Sequence, residues 1–339
     1  MMEMKLWGKR IGAVALSVAL AAGLTACGGS KKDDGGAATA APTVAATASM
    51  APSAAPTAAP TQAAAAKTVY PLTLTDATGQ SIVFEKAPER VITLAPSETE
   101  VVYAIGGGDT VVGVDQYSNY PKEANSKPKV GDMTTDIEGV VALKPDVVFA
   151  GASLNAKAIE ALRKLNVKVY ASEPKTFDQV VEKIETAGVI LDRQEDAEKT
   201  ANHMREEKAR IVNAVKDLPK KKVYMEFSPG WSVGKGEFMD ELVTLAGGEN
   251  VAQDQQGWFE INAETIIKSN PDVILYTTGP GIGDAVKDAI NKRPGFDSLA
   301  AVKENRMFAL NEDIVSRVGP RLLDALVEMA KAIHPEAVK

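Results

Sequence analysis

Three regimes of apolar and polar positions follow one another along the chain. Residues 11–24 are an Ala-rich apolar run set behind Lys5, Lys9 and Arg10. Residues 37–66 carry no charge, and 27 of those 30 are Ala, Pro, Thr or Ser, too little apolar surface to offset the entropy of ordering. From Tyr70 onward, short β-branched runs alternate with segments of helical period, which predicts parallel α/β units. The runs at 70–75 and 81–84 flank Asp76-Ala77-Thr78-Gly79 and read as a hairpin. Strands are predicted at 90–94, 111–114, 147–150 and 167–170, with helices at 97–105 and 156–165 between them. A further helix at 176–191 opens on Thr176 and Gln179, the spacing of a capping box.

A long charged helix is predicted at 193–218, with Ala197, Ala201, Met204, Ile211, Val215 and Leu218 on one narrow face. Pro219 stops it. The α/β pattern then begins again, with strands at 222–227, 273–277 and 307–310 and helices at 238–246, 263–269, 284–291 and 321–333. The fold class this predicts is α/β: two lobes around central, mostly parallel sheets, joined by one long helix. The divisions expected are 1–26, 27–69, a lobe at 70–191, the helix at 192–218 and a second lobe at 219–339.

Composition narrows the chemistry. The 339 residues include one cysteine and two histidines, His203 and His334. One cysteine forms no internal disulfide and no Cys-rich zinc site. Two histidines are too few for the multi-histidine sites that usually hold zinc or manganese. No resident metal or cofactor is expected, and both histidines are expected to be solvated. With the six basic and three acidic side chains of 1–69 set aside, 32 basic and 42 acidic ones remain in 70–339, a balance of −10. An acidic body argues against nucleic acid as a partner, since phosphate needs a basic face.

The N-terminal run reads as a secretory signal, too short and Ala-rich for a permanent membrane span. Leu24-Thr25-Ala26-Cys27-Gly28 resembles the bacterial lipoprotein cleavage box. That resemblance implies cleavage after residue 26 and acylation of Cys27. Several acyl chains would anchor the chain stably, at about 0.8 kcal/mol per buried methylene. Residues 27–69 then form a disordered tether whose charge-free part spans roughly 30 Å as a flexible coil. Pro42, Pro52, Pro56 and Pro60 break any helix there. The body is expected on the extracytoplasmic face of the cell membrane.

Two segments of the body match at one internal spacing. Asp136-Ile137-Glu138-Gly139-Val140-Val141 runs on to Pro145-Asp146-Val147-Val148-Phe149, and Asn262-Ala263-Glu264-Thr265-Ile266-Ile267 to Pro271-Asp272-Val273-Ile274-Leu275. Each has an N-cap residue, then a glutamate in the first helical turn, then a Pro-Asp turn into a buried strand. Singly, Glu138 and Glu264 read as helix-dipole partners. Together they put one carboxylate at the same address on each lobe.

Several separated motifs resemble one family. These are the lipoprotein box with its tether; residues 90–97 (Arg-Val-Ile-Thr-Leu-Ala-Pro-Ser) on to Glu100; residues 113–121 (Gly-Val-Asp-Gln-Tyr-Ser-Asn-Tyr-Pro); the two glutamate/Pro-Asp segments; and residues 316–321 (Ser-Arg-Val-Gly-Pro-Arg). The family is the class III solute-binding proteins of ABC importers for cobalamin, ferric siderophores and haem. The resemblance implies two Rossmann-like lobes bridged by one helix, a monomer, and a ligand held in the inter-lobe cleft. It also implies a dimeric permease with a cytoplasmic ATPase as partner, met by Glu138 and Glu264.

By pattern the chain is nearest the cobalamin-binding branch. Tyr117, Trp231 and Trp258 match its aromatic cleft residues, Asp313 and Arg317 a polar pair at the ligand's edge, and Ser97 closes the first motif. Met133 and Gly151 stand where that branch has tryptophans. Corrinoid, haem and ferric siderophore therefore remain open as the transported ligand. For each aromatic, core packing is the alternative, and Arg317 and Arg321 can equally cap a helix or bind surface carboxylates.

Other motifs are incomplete. Gly279-Pro280-Gly281-Ile282-Gly283 lacks dinucleotide-loop spacing and reads as a strand-to-helix turn. Gly230 to Gly236 is one residue short of a P-loop and lacks its Ser/Thr. Residues 230–234 (Gly-Trp-Ser-Val-Gly) have G-x-S-x-G spacing, but neither histidine has a serine or cysteine nearby in a catalytic motif. An enzyme reading survives only as a two-carboxylate hydrolase, and the chain is expected to bind rather than to catalyse.

Overall fold

β-Branched residues on alternate sides of short strands build two central sheets of one topology. The computed structural model describes residues 67–338 apart from Met133. The signal segment, Cys27 and nearly all of the expected tether lie outside the described residues, as does Met133.

β1 (Leu72–Thr75) and β2 (Ser81–Phe84) pair as the expected antiparallel hairpin. Its turn is organised by the buried carboxylate of Asp76, which accepts from the backbone N–H groups of Thr78 at 2.9 Å and Ala171 at 3.0 Å and pairs with Arg163. β3 (Val91–Thr93), β4 (Val111–Val114), β5 (Val147–Gly151) and β6 (Val169–Ser172) form a parallel sheet in the order β4-β3-β5-β6. In the second half come β7 (Lys221–Glu226), β8 (Trp231–Val233), β9 (Gly248–Asn250), β10 (Trp258–Glu260), β11 (Val273–Thr278) and β12 (Met307–Asn311). There β12-β11-β7-β9 is again parallel, and β8 with β10 makes a separate antiparallel ribbon. In both parallel sheets the order is second, first, third, fourth, counting from each sheet's own first strand.

The helices are α1 (Pro96–Ala104), α2 (Ile137–Ala142), α3 (Ala156–Lys164), α4 (Phe177–Leu191), α5 (Gln194–Val215), α6 (Phe238–Leu245), α7 (Ala263–Ser269), α8 (Ala285–Lys292), α9 (Ala300–Lys303), α10 (Glu312–Ser316) and α11 (Leu322–Ile333). The repeat seen in the sequence falls on equivalent parts. α2 feeds the third strand of the first sheet, and α7 the third strand of the second. Asp136 and Asn262 cap these helices through the backbone N–H groups of Gly139 at 2.9 Å and Thr265 at 3.1 Å. Asp146 accepts from Arg90 N at 2.9 Å and donates its own N–H to Arg90 O at 2.8 Å. Asp272 makes the same exchange with Lys222, at 2.8 Å both ways. Each Pro-Asp turn thus staples its sheet's third strand to its first.

Because the inner strands β3, β5 and β11 are buried on both faces, their residues read as continuous apolar runs. Val147 and Phe149 face one core while Val148 and Ala150 face another. In the second sheet Val273 and Leu275 face away from Ile274 and Tyr276. The largest core runs through both halves and takes in the predicted face of α5, with Ala197, Ala201, Met204, Ile211 and Val215 all buried. α5 lies along α4 and also meets α6 and α11. It is a docked helix, not a free strut.

Three readings of the sequence need correction. β6 starts two residues later than predicted, because Asn166 takes a left-handed φ of 60° after α3 and residues 167–168 only return the chain to the sheet. β8, β9 and β10 were not predicted, since three residues are too few to display alternation. His334 is buried rather than solvated: it follows α11, with Nδ1 3.1 Å from Glu336 Oε1 and Nε2 3.2 Å from Gly247 O. Gly247 permits this with a φ of 82° and no side chain, since a Cβ there would come 2.9 Å from the imidazole. His203, on α5, is exposed as expected.

Candidate functional site

In open parallel sheets the backbone leaves a crevice beyond the carboxyl ends of the strands. Here a cleft of about 510 Å³ opens at the ends of β3, β5 and β6. Ser97 lines it after β3, Gly151 at the end of β5 with Leu154 just beyond, and Glu173 and Lys175 after β6. The opposite wall comes from the second half, through Glu237, Phe238, Trp258, Ser316 and Val318. A second cavity of about 610 Å³, between α2 and α3, shares Ser153 and Leu154 with it. Of the residues singled out in the sequence, Ser97 and Trp258 meet in the cleft, and Gly151 leaves room there.

Trp231 reaches the same ribbon by register. Trp258 pairs with Val233 and Glu260 with Trp231. Residues two apart on a strand share a face, so both indoles project from one side of the ribbon. Trp258 packs edge-on against Phe227 at 5.0 Å. Both tryptophans stay more than 40% exposed, Trp231 at 45% and Trp258 at 42%, so neither is core filling. The ribbon is fixed from below by Glu226, which is fully buried. Its carboxylate accepts from Gly230 N at 2.7 Å, Tyr224 Oη at 2.7 Å and both terminal nitrogens of Arg293 at 2.6 and 2.7 Å. Burial, with Glu226 beside it, pushes the Tyr224 phenol far above its ordinary range.

Asp313 and Arg317 come together, but their partners belong largely to the protein. Arg317 donates to Asp313 Oδ1 at 2.5 Å, to Asn119 Oδ1 at 2.8 Å and to Glu100 Oε1 at 2.8 Å. Arg321 donates to both oxygens of Glu100, at 2.6 and 2.9 Å, and stacks over Tyr120 at 4.2 Å. Asn119 also donates to Asp313 Oδ2 at 3.1 Å. This network ties α1 and the loop after β4 to the segment around α10. It uses both arginines on protein carboxylates.

Tyr117 is exposed and does not line the 510 Å³ cleft. Its loop is held by Asp115, which accepts from Tyr117 N at 2.8 Å and from the Ser118 hydroxyl. The hydroxyls of Thr93, Thr99 and Ser118 continue this chain inward at 2.6 Å per step. Burial raises the Asp115 carboxyl above the ordinary range despite these hydrogen bonds. Burial also lowers the neighbouring Lys129 ammonium, which donates to Ser118 O at 2.8 Å.

Glu138 and Glu264 are both exposed, each in the first turn of its helix. Neither joins an ion pair among the described residues. Sequence reading missed Glu98 and Lys183, which are buried side by side at 2.6 Å next to the cleft. The available signal was Lys183 itself, one charge among the apolar positions Val180, Val181, Ile184 and Ala187 of α4. No group of three or more metal-ligating side chains occurs among the described residues.

Residues 91–314 match the family described as periplasmic binding protein. The chain belongs to that family. It is 36% identical, over 80% of its length and 88% of the relative, to an uncharacterized ABC transporter substrate-binding lipoprotein of Bacillus subtilis. It is 32% identical to the vitamin B12-binding protein of Vibrio parahaemolyticus, over 74% of this chain and 90% of that one. Among solved structures, the periplasmic vitamin B12 binding protein of Vibrio cholerae superposes with a TM-score of 0.64 at 28% identity, covering 73% of this chain and 96% of that one. A periplasmic haem-binding protein of Roseiflexus gives 0.66 at 25% identity, covering 74% and 99%. The two-lobed α/β architecture of this family is the one expected from the motifs. The hydrolase alternative draws no support from a family of binding proteins.

Proposed function

We propose that this chain is the membrane-anchored receptor of an ABC importer and that it captures a corrinoid in the inter-lobe cleft. The observation that carries the reading is Trp258 at the cleft, on a ribbon that also carries Trp231, in a chain 32% identical to a vitamin B12-binding protein across 90% of that relative. A broad macrocycle fringed with amides needs flat apolar walls and a few polar groups. Trp231, Trp258 and Phe238 supply the walls, and Ser97, Tyr117, Asp313, Arg317 and Met133 are proposed to contribute contacts. Cys27 is proposed as the lipid attachment point, and Glu138 and Glu264 as the groups that meet a dimeric permease. No helix among the described residues is long and apolar enough to cross a membrane.

The second reading is an iron-chelate receptor. What favours it is the equal fit of a haem-binding structure, with a TM-score of 0.66. Titrating the protein with cyanocobalamin, cobinamide, haemin and ferric siderophores while following tryptophan fluorescence separates the two. Saturable quenching by a corrinoid below micromolar concentration, lost in Trp258→Ala, is the expected result. Tight binding of an iron chelate with no corrinoid response would overturn it.

A further inference from the structure

The cations at the cleft have already met carboxylates. Lys175, on the cleft wall, stands 3.3 Å from Glu237 and 3.5 Å from Glu173, both of which also line the cleft. Lys183, behind the wall, is 2.6 Å from Glu98. Arg317, between the lining residues Ser316 and Val318, is 2.8 Å from Glu100. With Lys183 balancing Glu98, the lining leaves the two carboxylates Glu173 and Glu237 against the one ammonium of Lys175.

Glu98 adds an independent observation. Its side chain lines the cleft at only 3% exposure. One oxygen, Oε1, accepts from Ser172 Oγ at 2.9 Å and Lys183 Nζ at 2.6 Å. The other, Oε2, accepts no hydrogen bond among the described residues. A carboxylate oxygen left free at the cleft lining can accept a ligand N–H in a charge-assisted bond. A ligand carboxylate would instead meet like charge and find its potential cations neutralised.

We infer that the cleft sorts ligands by charge and donor pattern. It takes a chelate whose rim is neutral or cationic and carries N–H donors, and it rejects one whose rim carries carboxylates. Glu98, Glu173 and Glu237 set that preference. The inference rests on the proposed reading of this cleft as the ligand site, but not on the ligand being a corrinoid.

Calorimetric titration of the full chain in detergent tests it with matched probes. Cyanocobalamin is compared with its monocarboxylate, in which one rim amide is hydrolysed to an acid, alongside ferrioxamine B as a cationic iron chelate and ferric citrate and haemin as anionic ones. The monocarboxylate is expected to bind at least ten-fold more weakly than cyanocobalamin. Glu173→Gln with Glu237→Gln, which frees Lys175, is expected to narrow that gap at least three-fold, and Lys175→Gln to widen it. All three positions are at the cleft surface, so the fold tolerates the changes. Equal binding of amide and acid overturns the charge inference while leaving the corrinoid reading intact. Binding of ferrioxamine B without cyanocobalamin supports the charge inference and removes the corrinoid. Tightest binding of haemin or ferric citrate overturns both.

Discussion

Arg317 Nη1 lies 2.8 Å from Glu100 Oε1 across the two halves of the chain, with both side chains buried. The same carboxylate also receives Arg321, so one buried anion holds two guanidinium groups. Bidentate geometry makes such bonds strong, but the larger effect is the penalty for leaving a partner alone. Glu100→Gln should therefore cost about 3–5 kcal/mol of stability. Adding Arg317→Met to it should cost much less than the sum of the two single changes. Urea unfolding of the four proteins in the cycle measures this. Additivity within about 0.5 kcal/mol would show that the pair is not coupled.

Asp76 gives an acid-side signature. Burial alone would raise its carboxyl. Hydrogen bonds from the Thr78 hydroxyl and from the backbone of Ala171 and Thr78, with the charge of Arg163, outweigh this and hold it below the ordinary 3.8. A carboxyl lowered in the folded state adds stability above its unfolded value, and that stability fades as pH falls towards the folded one. Asp76→Asn should cost about 3 kcal/mol near neutrality, and its deficit relative to the parent should shrink below about pH 4. Thermal unfolding at pH 7 and pH 3 reads the difference. A deficit that is the same at both would rule out the proposed role of the charge.

The parts of the fold legible in sequence are those with local causes. Asp136 and Asn262 announce their helices because an N-cap needs only the next three residues. The Pro-Asp turns could be found because both lobes repeat them, although what Asp146 and Asp272 staple, the starts of β3 and β7, lies 56 and 50 positions away. The cleft was legible only in fragments. Trp258 stood out by residue type, whereas the ribbon that aims it is three residues per strand and leaves no period to read. Arg317 was visible as a charged residue near a Gly-Pro turn, but its use by Glu100 depends on a contact 217 positions away. Glu98 and Lys183 were hidden for the same reason. They meet 85 positions apart within the first lobe, so Glu98 looks like an ordinary charge and only Lys183, set among apolar positions of α4, gives a sign.

Glu226 should control the tryptophan ribbon without touching a ligand. It is fully buried, and its carboxylate accepts the N–H of Gly230, the residue before Trp231. Glu226→Gln would leave Arg293 facing a neutral amide and remove one acceptor from the Gly230 turn. A stability loss of about 3 kcal/mol is expected, together with faster local motion of Trp231 seen as lower fluorescence anisotropy. Trp258, braced by Phe227 at 5.0 Å, should move less. Loss of stability with unchanged Trp231 anisotropy would mean that the glutamate supports the sheet alone.

Glu138 and Glu264 occupy matching first turns on the two lobes, both exposed and outside any ion pair among the described residues. Their helices are already capped by Asp136 and Asn262, so charge reversal should disturb folding little. If the pair meets basic groups on the two permease subunits, charge complementarity should govern encounter and register rather than the ligand site. Glu138→Arg with Glu264→Arg is therefore expected to abolish uptake by cells. Ligand affinity of the purified double variant should stay within two-fold of the parent. Each single reversal should give an intermediate defect that worsens at low salt, where repulsion is less screened. Normal uptake by the double variant would place the docking surface elsewhere, and a loss of ligand affinity would tie these helices to the cleft instead.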